Sequence, residues 1–185
     1  MIFTPTEIAD VWIIEPSPLE DPRGYFARIF CQRELNDHDI DFDLVQANRS
    51  VTKKRGTIRG LHYQRSPLWE PKIVQCVRGS VYNVVVDLRP DSPTFTKWLA
   101  VELSEDNRKM VYTPEGFANG CQTLTDNCEL LYFMSQFYSP EHATGVRFDD
   151  PDIGVAWPIS DWDASDKDKQ LPSLRDSLKP SLDKS

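Results

Sequence analysis

The feature that most constrains this chain is a rhythm of short β-branched or alternating runs, interrupted about every ten residues by turn chemistry. The clearest instance is Ile73-Val74-Gln75-Cys76-Val77, then Arg78-Gly79-Ser80, then Val81-Tyr82-Asn83-Val84-Val85-Val86-Asp87-Leu88. Two strand-like runs about a Gly-Ser turn predict a β-hairpin, with Gly79 supplying a positive φ. Comparable runs occupy 11–15, 25–30, 44–50, 57–63, 98–103, 109–113, 121–124, 129–137 and 145–148. Asp21-Pro22-Arg23-Gly24, Arg89-Pro90-Asp91-Ser92-Pro93, Pro114-Glu115-Gly116 and Asp126-Asn127 separate some of them as turns. Helical signal is confined to a turn or two at 32–37 and 165–170. The pattern predicts an all-β chain, an antiparallel sandwich or barrel with short peripheral helices. From Leu171 onward the sequence is mostly Ser, Pro, Lys and Asp, which predicts one domain over 1–170 and a loosely attached polar tail over 171–185.

Charge narrows the partners. Against 21 basic residues stand 29 acidic ones, a net charge of −8. That surface argues against nucleic acid or an anionic membrane as partner. An anionic small molecule fits only where Arg and Lys gather locally. No apolar run approaches the ~18 residues of a membrane span. Met1 to Asp10 carries acids and no basic segment, so no secretory signal is read and the cytoplasm is the expected compartment. Cys31, Cys76, Cys121 and Cys128 show no CxxC spacing and read as free thiols, mostly buried.

Within a small barrel, Pro114-Glu115-Gly116-Phe117-Ala118-Asn119 resembles the second motif of the cupin superfamily, P-x-G-x-x-H, with Asn119 in the histidine position. The first cupin motif calls for His-x-His, and this chain offers His62-Tyr63-Gln64. A facial site for iron or manganese needs at least two imidazoles. His38 and His142, the other histidines, lie in polar, turn-like sequence. The expectation is a cupin-like barrel or jelly roll without a metal.

Arg59-Gly60-Leu61-His62-Tyr63-Gln64 is the most informative run. On a regular strand Arg59 and Leu61 face one way, and Gly60, His62 and Gln64 the other, unless a bulge intervenes. A histidine inside a barrel can serve as a general base. Read alone, His62 fits equally a core histidine satisfied by a carbonyl.

The ordered set of motifs goes further. Asp21-Pro22-Arg23-Gly24-Tyr25-Phe26, Gln46-Ala47-Asn48-Arg49-Ser50, Arg59 to Gln64 and Pro71-Lys72-Ile73-Val74 begin it. Arg78-Gly79-Ser80-Val81, Asp91-Ser92-Pro93-Thr94-Phe95, Leu131-Tyr132, Tyr138-Ser139-Pro140-Glu141, Trp157-Pro158 and Ser165-Asp166-Lys167-Asp168 continue it. Over roughly residues 20–170 this sequence resembles the nucleotide-sugar 3,5-epimerase family, whose best-known member is dTDP-4-dehydrorhamnose 3,5-epimerase. A 4-keto sugar has acidic C–H bonds at C3 and C5. Epimerising them needs a base on one face, an acid on the other and a group to hold the enolate oxygen, with no metal or redox cofactor.

The resemblance implies His62 as base with Asp168 behind it, Tyr132 as acid and Lys72 as the cation for the enolate oxygen. It implies Arg59 on the diphosphate, and Arg23, Phe26, Gln46, Asn48, Asn119 and Tyr138 as further substrate contacts. Arg23 and Phe26 would serve a neighbouring subunit's site, which implies a homodimer. Taken singly, Tyr132 could be a core tyrosine, Asp168 solvated surface and Lys72 an exposed strand lysine.

The chain departs from the family pattern at four positions. The family usually has Glu at Arg28, His at Arg49, His at Asn119 and Glu at Ala143. These changes lie in or beside nucleotide-contact segments, so the carrier nucleotide could be dTDP, GDP, CDP or UDP. Three functions are weighed: a cofactor-free epimerase acting at C3, C5 or both; a 3,4-ketoisomerase of the same barrel class; and a barrel that binds a sugar nucleotide without turning it over.

Overall fold

The computed structural model describes residues 1–177. The N-terminal part holds β1 (Ile2–Pro5), β2 (Trp12–Glu15), β3 (Leu19–Asp21), β4 (Gly24–Phe26) and α1 (Gln32–Asn36). The middle is a run of strands: β5 (Gln46–Thr52), β6 (Thr57–Gln64), β7 (Lys72–Arg78), β8 (Ser80–Asp87), β9 (Trp98–Ser104), β10 (Met110–Thr113), β11 (Phe117–Thr123) and β12 (Cys128–Met134). The last part has β13 (Ala143–Gly145), β14 (Asp163–Ala164), α2 (Asp166–Lys169) and α3 (Leu174–Ser177).

Two sheets carry the architecture. The first runs β1-β2-β10-β7-β12-β5 and the second β13-β6-β11-β8-β9. Every described strand pairing is antiparallel except that of β14, which lies parallel to β6. The small β3–β4 hairpin stands apart as its own two-stranded sheet. This is the expected cupin-like jelly roll. Its interior is closed by side chains that alternate inward from both sheets, among them Val74, Val81, Val85, Leu103, Val111, Phe117 and Leu130. Each such side chain contributes about 1.5–3 kcal/mol when fully buried.

The expected β7–β8 hairpin does not form. Gly79 does have a positive φ, 74°, but the chain uses it to cross between sheets. Strand β7 pairs with β10 and β12, whereas β8 pairs with β9 and β11. Both edges of each strand are therefore occupied, and both strands are buried along most of their length. A β-carbon at Gly79 would stand 2.4 Å from Thr125 Oγ1, so the corner also requires the smallest residue.

Other boundaries move for reasons of packing. The run at 25–30 stops being a strand after Phe26, because Ile29 and Phe30 turn in against Leu35 and Phe42. Strand β11 begins at Phe117, four residues before the expected run. Both predicted helices are present as α1 and α2. The tail is corrected at its start: Leu174 is buried, its N–H donates to Asp150 Oδ2 at 2.8 Å, and Arg147 N–H donates to Pro172 O at 3.0 Å. Residues 178–185 lie outside the described residues.

Candidate active site

At one end the two sheets part around a cavity of about 410 Å³. The second sheet lends it Arg59, His62 and Gln64 from β6 and Asn119 from β11; the first lends Asn48 from β5, Lys72 from β7 and Tyr132 from β12. Arg59 and His62 are three apart, so a regular strand would turn them to opposite faces. A bulge changes that. Asn119 pairs with His62 and Cys121 with Arg59, leaving Gly60 and Leu61 opposite the single residue Gly120. Leu61 is driven behind the sheet, fully buried, and both polar residues face the cavity. Gly60 makes the bulge possible, with φ of 136° and a position where a β-carbon would meet Gly120 Cα at 2.6 Å.

Asp168 comes to His62 across 106 residues of sequence. The imidazole Nε2 lies 2.6 Å from Asp168 Oδ1 and donates to that ionised carboxylate, an arrangement that in the neutral ring leaves Nδ1 with its lone pair. Two local devices place the carboxylate. Strand β14 lays Ala164 beside Ile58 on the same strand that carries His62, and the Ser165 hydroxyl caps α2 by accepting from Asp168 N–H at 3.1 Å. Asp168 is only 5% exposed, which removes the reading of solvated surface. Burial alone would raise its carboxyl. The bond and charge of His62, the Ser165 hydroxyl and the Arg59 charge outweigh that, so it titrates below its ordinary value.

Across the cavity, Lys72 is buried and its Nζ donates to Glu70 Oε1 at 2.7 Å, so it is no exposed strand lysine. Tyr132 projects inward from β12. Burial pushes its phenol well above the ordinary value, an effect only partly offset by the Ser50 hydroxyl and the Arg59 charge. A phenol so placed stays protonated at neutral pH. One sheet thus presents an oriented imidazole, and the other a protonated phenol and an ammonium. Arg59 is steadied from Nε to Thr52 Oγ1 at 2.7 Å and reaches the Val51 carbonyl at 3.3 Å.

A family model described as dTDP-4-dehydrorhamnose 3,5-epimerase matches residues 5–176. The chain belongs to this family. It is an isomerase that epimerises a sugar nucleotide. The dTDP-4-dehydrorhamnose 3,5-epimerase of Sinorhizobium fredii is 41% identical over 175 residues, covering 94% of this chain and 90% of the relative. The crystal structure of the Bacillus anthracis dTDP-4-dehydrorhamnose 3,5-epimerase with TDP and pyrophosphate bound superposes with a TM-score of 0.88. It is 38% identical and spans 91% of this chain and 96% of that one. A dTDP-6-deoxy-D-glucose-3,5-epimerase from Legionella pneumophila, in complex with dTDP-4-keto-L-rhamnose, gives 0.89 at 34% identity, covering 94% of this chain and 93% of that chain.

Within this family member the sequence-predicted residues divide. His62, Lys72, Tyr132, Arg59, Asn48, Asn119 and Tyr138 line one cavity, with Asp168 bonded to His62 behind it. Gln46 stands one step back: its Oε1 accepts from Tyr138 N–H at 3.2 Å and its Nε2 donates to Asn48 at 3.2 Å. Arg23 and Phe26 are not brought to the cavity. They ride the β3–β4 hairpin, where Phe26 is 75% exposed and Arg23 pairs with Asp21 at 2.6 Å.

Sequence reasoning passed over two residues. Glu70 holds Lys72 from two positions away across Pro71, and Gln64 ties down the segment that carries Tyr138. The Gln64 amide donates to Leu68 O and Phe137 O and accepts from Ser139 N–H at 2.6 Å. Inward alternation from His62 to Gln64 was the available signal. At the departures from the family pattern, Arg28 pairs with Glu34 at 2.7 Å, Arg49 pairs with Glu129, and Ala143 lines the cavity. Among the described residues no helix is long and apolar enough to cross a membrane, and no three His, Cys, Asp or Glu side chains gather as a metal-binding group.

Proposed function

We propose that the chain epimerises a nucleotide-linked 4-keto-6-deoxy sugar at C3, C5 or both, with His62 as base and Tyr132 as acid. The observation that carries this reading is the placement of the two on opposite sheets across one cavity. Nδ1 of His62 takes the proton from the carbon beside the ketone, and the C–H electron pair moves through the new C=C bond onto the carbonyl oxygen. Lys72 stabilises that oxygen, an electrostatic contribution strengthened by its burial. Collapse of the enolate draws the Tyr132 proton onto the opposite face of the same carbon. Solvent then reprotonates the phenolate and removes the proton from the imidazole. Asp168 keeps Nε2–H pointed away from substrate and stabilises the imidazolium.

Arg59 is the group for the diphosphate, since its guanidinium has further donors beyond those given to Thr52 and Val51. Asn48 and Tyr138, braced by Gln46, belong to the nucleotide end. The exposed β3–β4 hairpin supports a homodimer in which Arg23 and Phe26 reach the neighbouring subunit's cavity. The four free cysteines suit the reducing cytoplasm. The carrier named for the relatives is dTDP, and Arg49 and Ala143 at the cavity make the carrier the first variable to test.

The experiment is incubation in D₂O with 4-keto-6-deoxy sugars on dTDP, GDP, CDP and UDP, read by mass spectrometry. Deuterium on one carrier is expected, two atoms for exchange at both centres and one for a single centre. A carbonyl moved to C3 in the NMR spectrum would establish the ketoisomerase instead. No exchange on any carrier, with nucleotide bound, would leave a binding barrel.

A further inference from the structure

Beneath His62, the cavity floor holds a buried pair of amides whose arrangement carries a consequence for the substrate. Asn119, directly opposite His62 in the β6–β11 ladder, is 6% exposed. Its Nδ2 spends both hydrogens inward, donating to Asn83 Oδ1 at 3.1 Å and to Val84 O at 2.9 Å. Its Oδ1 has no partner among the described residues and is the polar atom left to the cavity that Asn119 lines. Asn83 is 1% exposed, and its own Nδ2 is buried with no hydrogen-bond partner among the described residues. A buried, unsatisfied amide is destabilising, and native structures keep few of them. The compensating feature is Asn83 Oδ1, which together with Val84 O fixes which way the Asn119 amide faces.

We infer that Asn83 is a positioning residue which, with the Val84 carbonyl, makes Asn119 an obligate hydrogen-bond acceptor for a hydroxyl of the sugar. This rests on the epimerase reading above and deepens it. An acceptor cannot face the enolate oxygen, which is itself an acceptor carrying developing charge. The ketone must therefore turn toward Lys72 on the other sheet, and a hydroxyl-bearing carbon toward Asn119. A 4-keto-6-deoxy sugar joined to its carrier through C1 has free hydroxyls only at C2 and C3, so one of these is the donor. An imidazole at the same position, as the family pattern has, can donate or accept. The fixed amide can only accept, which narrows the sugars that fit.

The test compares the parent sugar with its 2-deoxy and 3-deoxy analogues on the active carrier, in the parent protein, Asn119→Leu, Asn83→Leu and Asn83→Asp. One analogue is expected to lose about three- to tenfold in kcat/KM in the parent protein, and to lose nothing further in Asn119→Leu. Asn83→Leu removes one unsatisfied group but leaves a hydrogen of Asn119 Nδ2 without its acceptor, so the two effects on melting temperature oppose each other, and its expected readout is a reduced discrimination against that analogue. Asn83→Asp retains an acceptor for Asn119 Nδ2 and is expected to restore the discrimination. Analogues that react like the parent sugar, or discrimination unchanged in Asn119→Leu or Asn83→Leu, would overturn the inference while leaving the epimerase reading intact. Absence of exchange with the undeleted sugars in the parent protein would instead sink that reading.

Discussion

The two ends of the jelly roll are built from the same strands and differ only in what those strands turn inward. On β7, Lys72 faces the cavity, while Val74 and Cys76 face the closed core; on β12, Tyr132 faces the cavity, while Leu130 and Cys128 face the core. Burial acts on both ends alike. It pushes the Cys76 thiol up to about 12 and lifts the Tyr132 phenol well above its ordinary value. At the closed end the result is an inert thiol whose proton is held by the Arg78 and Gly79 carbonyls. At the open end it is a proton held ready beside space for a ligand. The same desolvation gives stability at one end and, in the proposed mechanism, an acid at the other, and the alternation of the strand decides which side chains meet it.

Substitutions at the two ends should therefore separate activity from stability. His62→Ala should reduce solvent-deuterium exchange by about 10³-fold, within the range for loss of a general base, while nucleotide affinity measured by calorimetry stays the same. Retained exchange would remove His62 from the mechanism. Leu130→Ala, one strand step from Tyr132, should do the opposite: a loss of about 2–5 kcal/mol in urea unfolding, with turnover of the folded fraction within about twofold. A variant that lost activity but not stability there would break the division between the ends.

Tyr132→Phe should lower inverted product by about 10²-fold yet still wash hydrogen out of the substrate, because abstraction precedes the step it serves. Normal product from this variant would exclude Tyr132 as the acid. A smaller effect is expected from Asp168. Its carboxyl titrates below the ordinary value, so it contributes stability that is present above pH ~4 and lost as pH falls through its folded value. Asp168→Asn should flatten the dependence of the urea midpoint on pH below about 4, and an unchanged slope would count against that coupling. The smallest effect concerns the thiols: a disulfide reagent should modify Cys31, the half-buried one, in the native protein, and reach Cys76, Cys121 and Cys128 only in urea.

How legible all this was depended on how local the cause is. Strand alternation and turn residues marked most of the sheet strands, because both act within a few residues. They could not say which strand pairs with which, and the Gly79 turn, rightly read as a positive-φ glycine, joins two strands that belong to different sheets. Strict alternation also separated Arg59 from His62, since nothing in the run itself announces that Gly60 and Leu61 share one place opposite Gly120. Asp168 and Tyr132 looked ordinary in isolation; only resemblance across the whole chain assigned them roles. Glu70 was passed over because a carboxylate two residues from a lysine, across a proline, is commonplace on a surface, and the sequence does not show that both become buried. The β3–β4 hairpin, with Phe26 and Arg23 away from the cavity, is the part of the proposed site that the fold of one chain does not bring together.

The partnership of β14 with β6 has a bearing on timing. The orienting carboxylate is delivered by residues 163–168, laid against a strand that emerges a hundred residues earlier. Contacts of such long sequence separation form late, because the loop must close before they are rewarded. Until that last segment docks, the histidine has no fixed tautomer and an incompletely folded chain has no oriented base. In the proposed mechanism, proton abstraction is thus switched on by completion of the fold, and partly assembled molecules cannot scramble the stereochemistry of a sugar they have not yet enclosed.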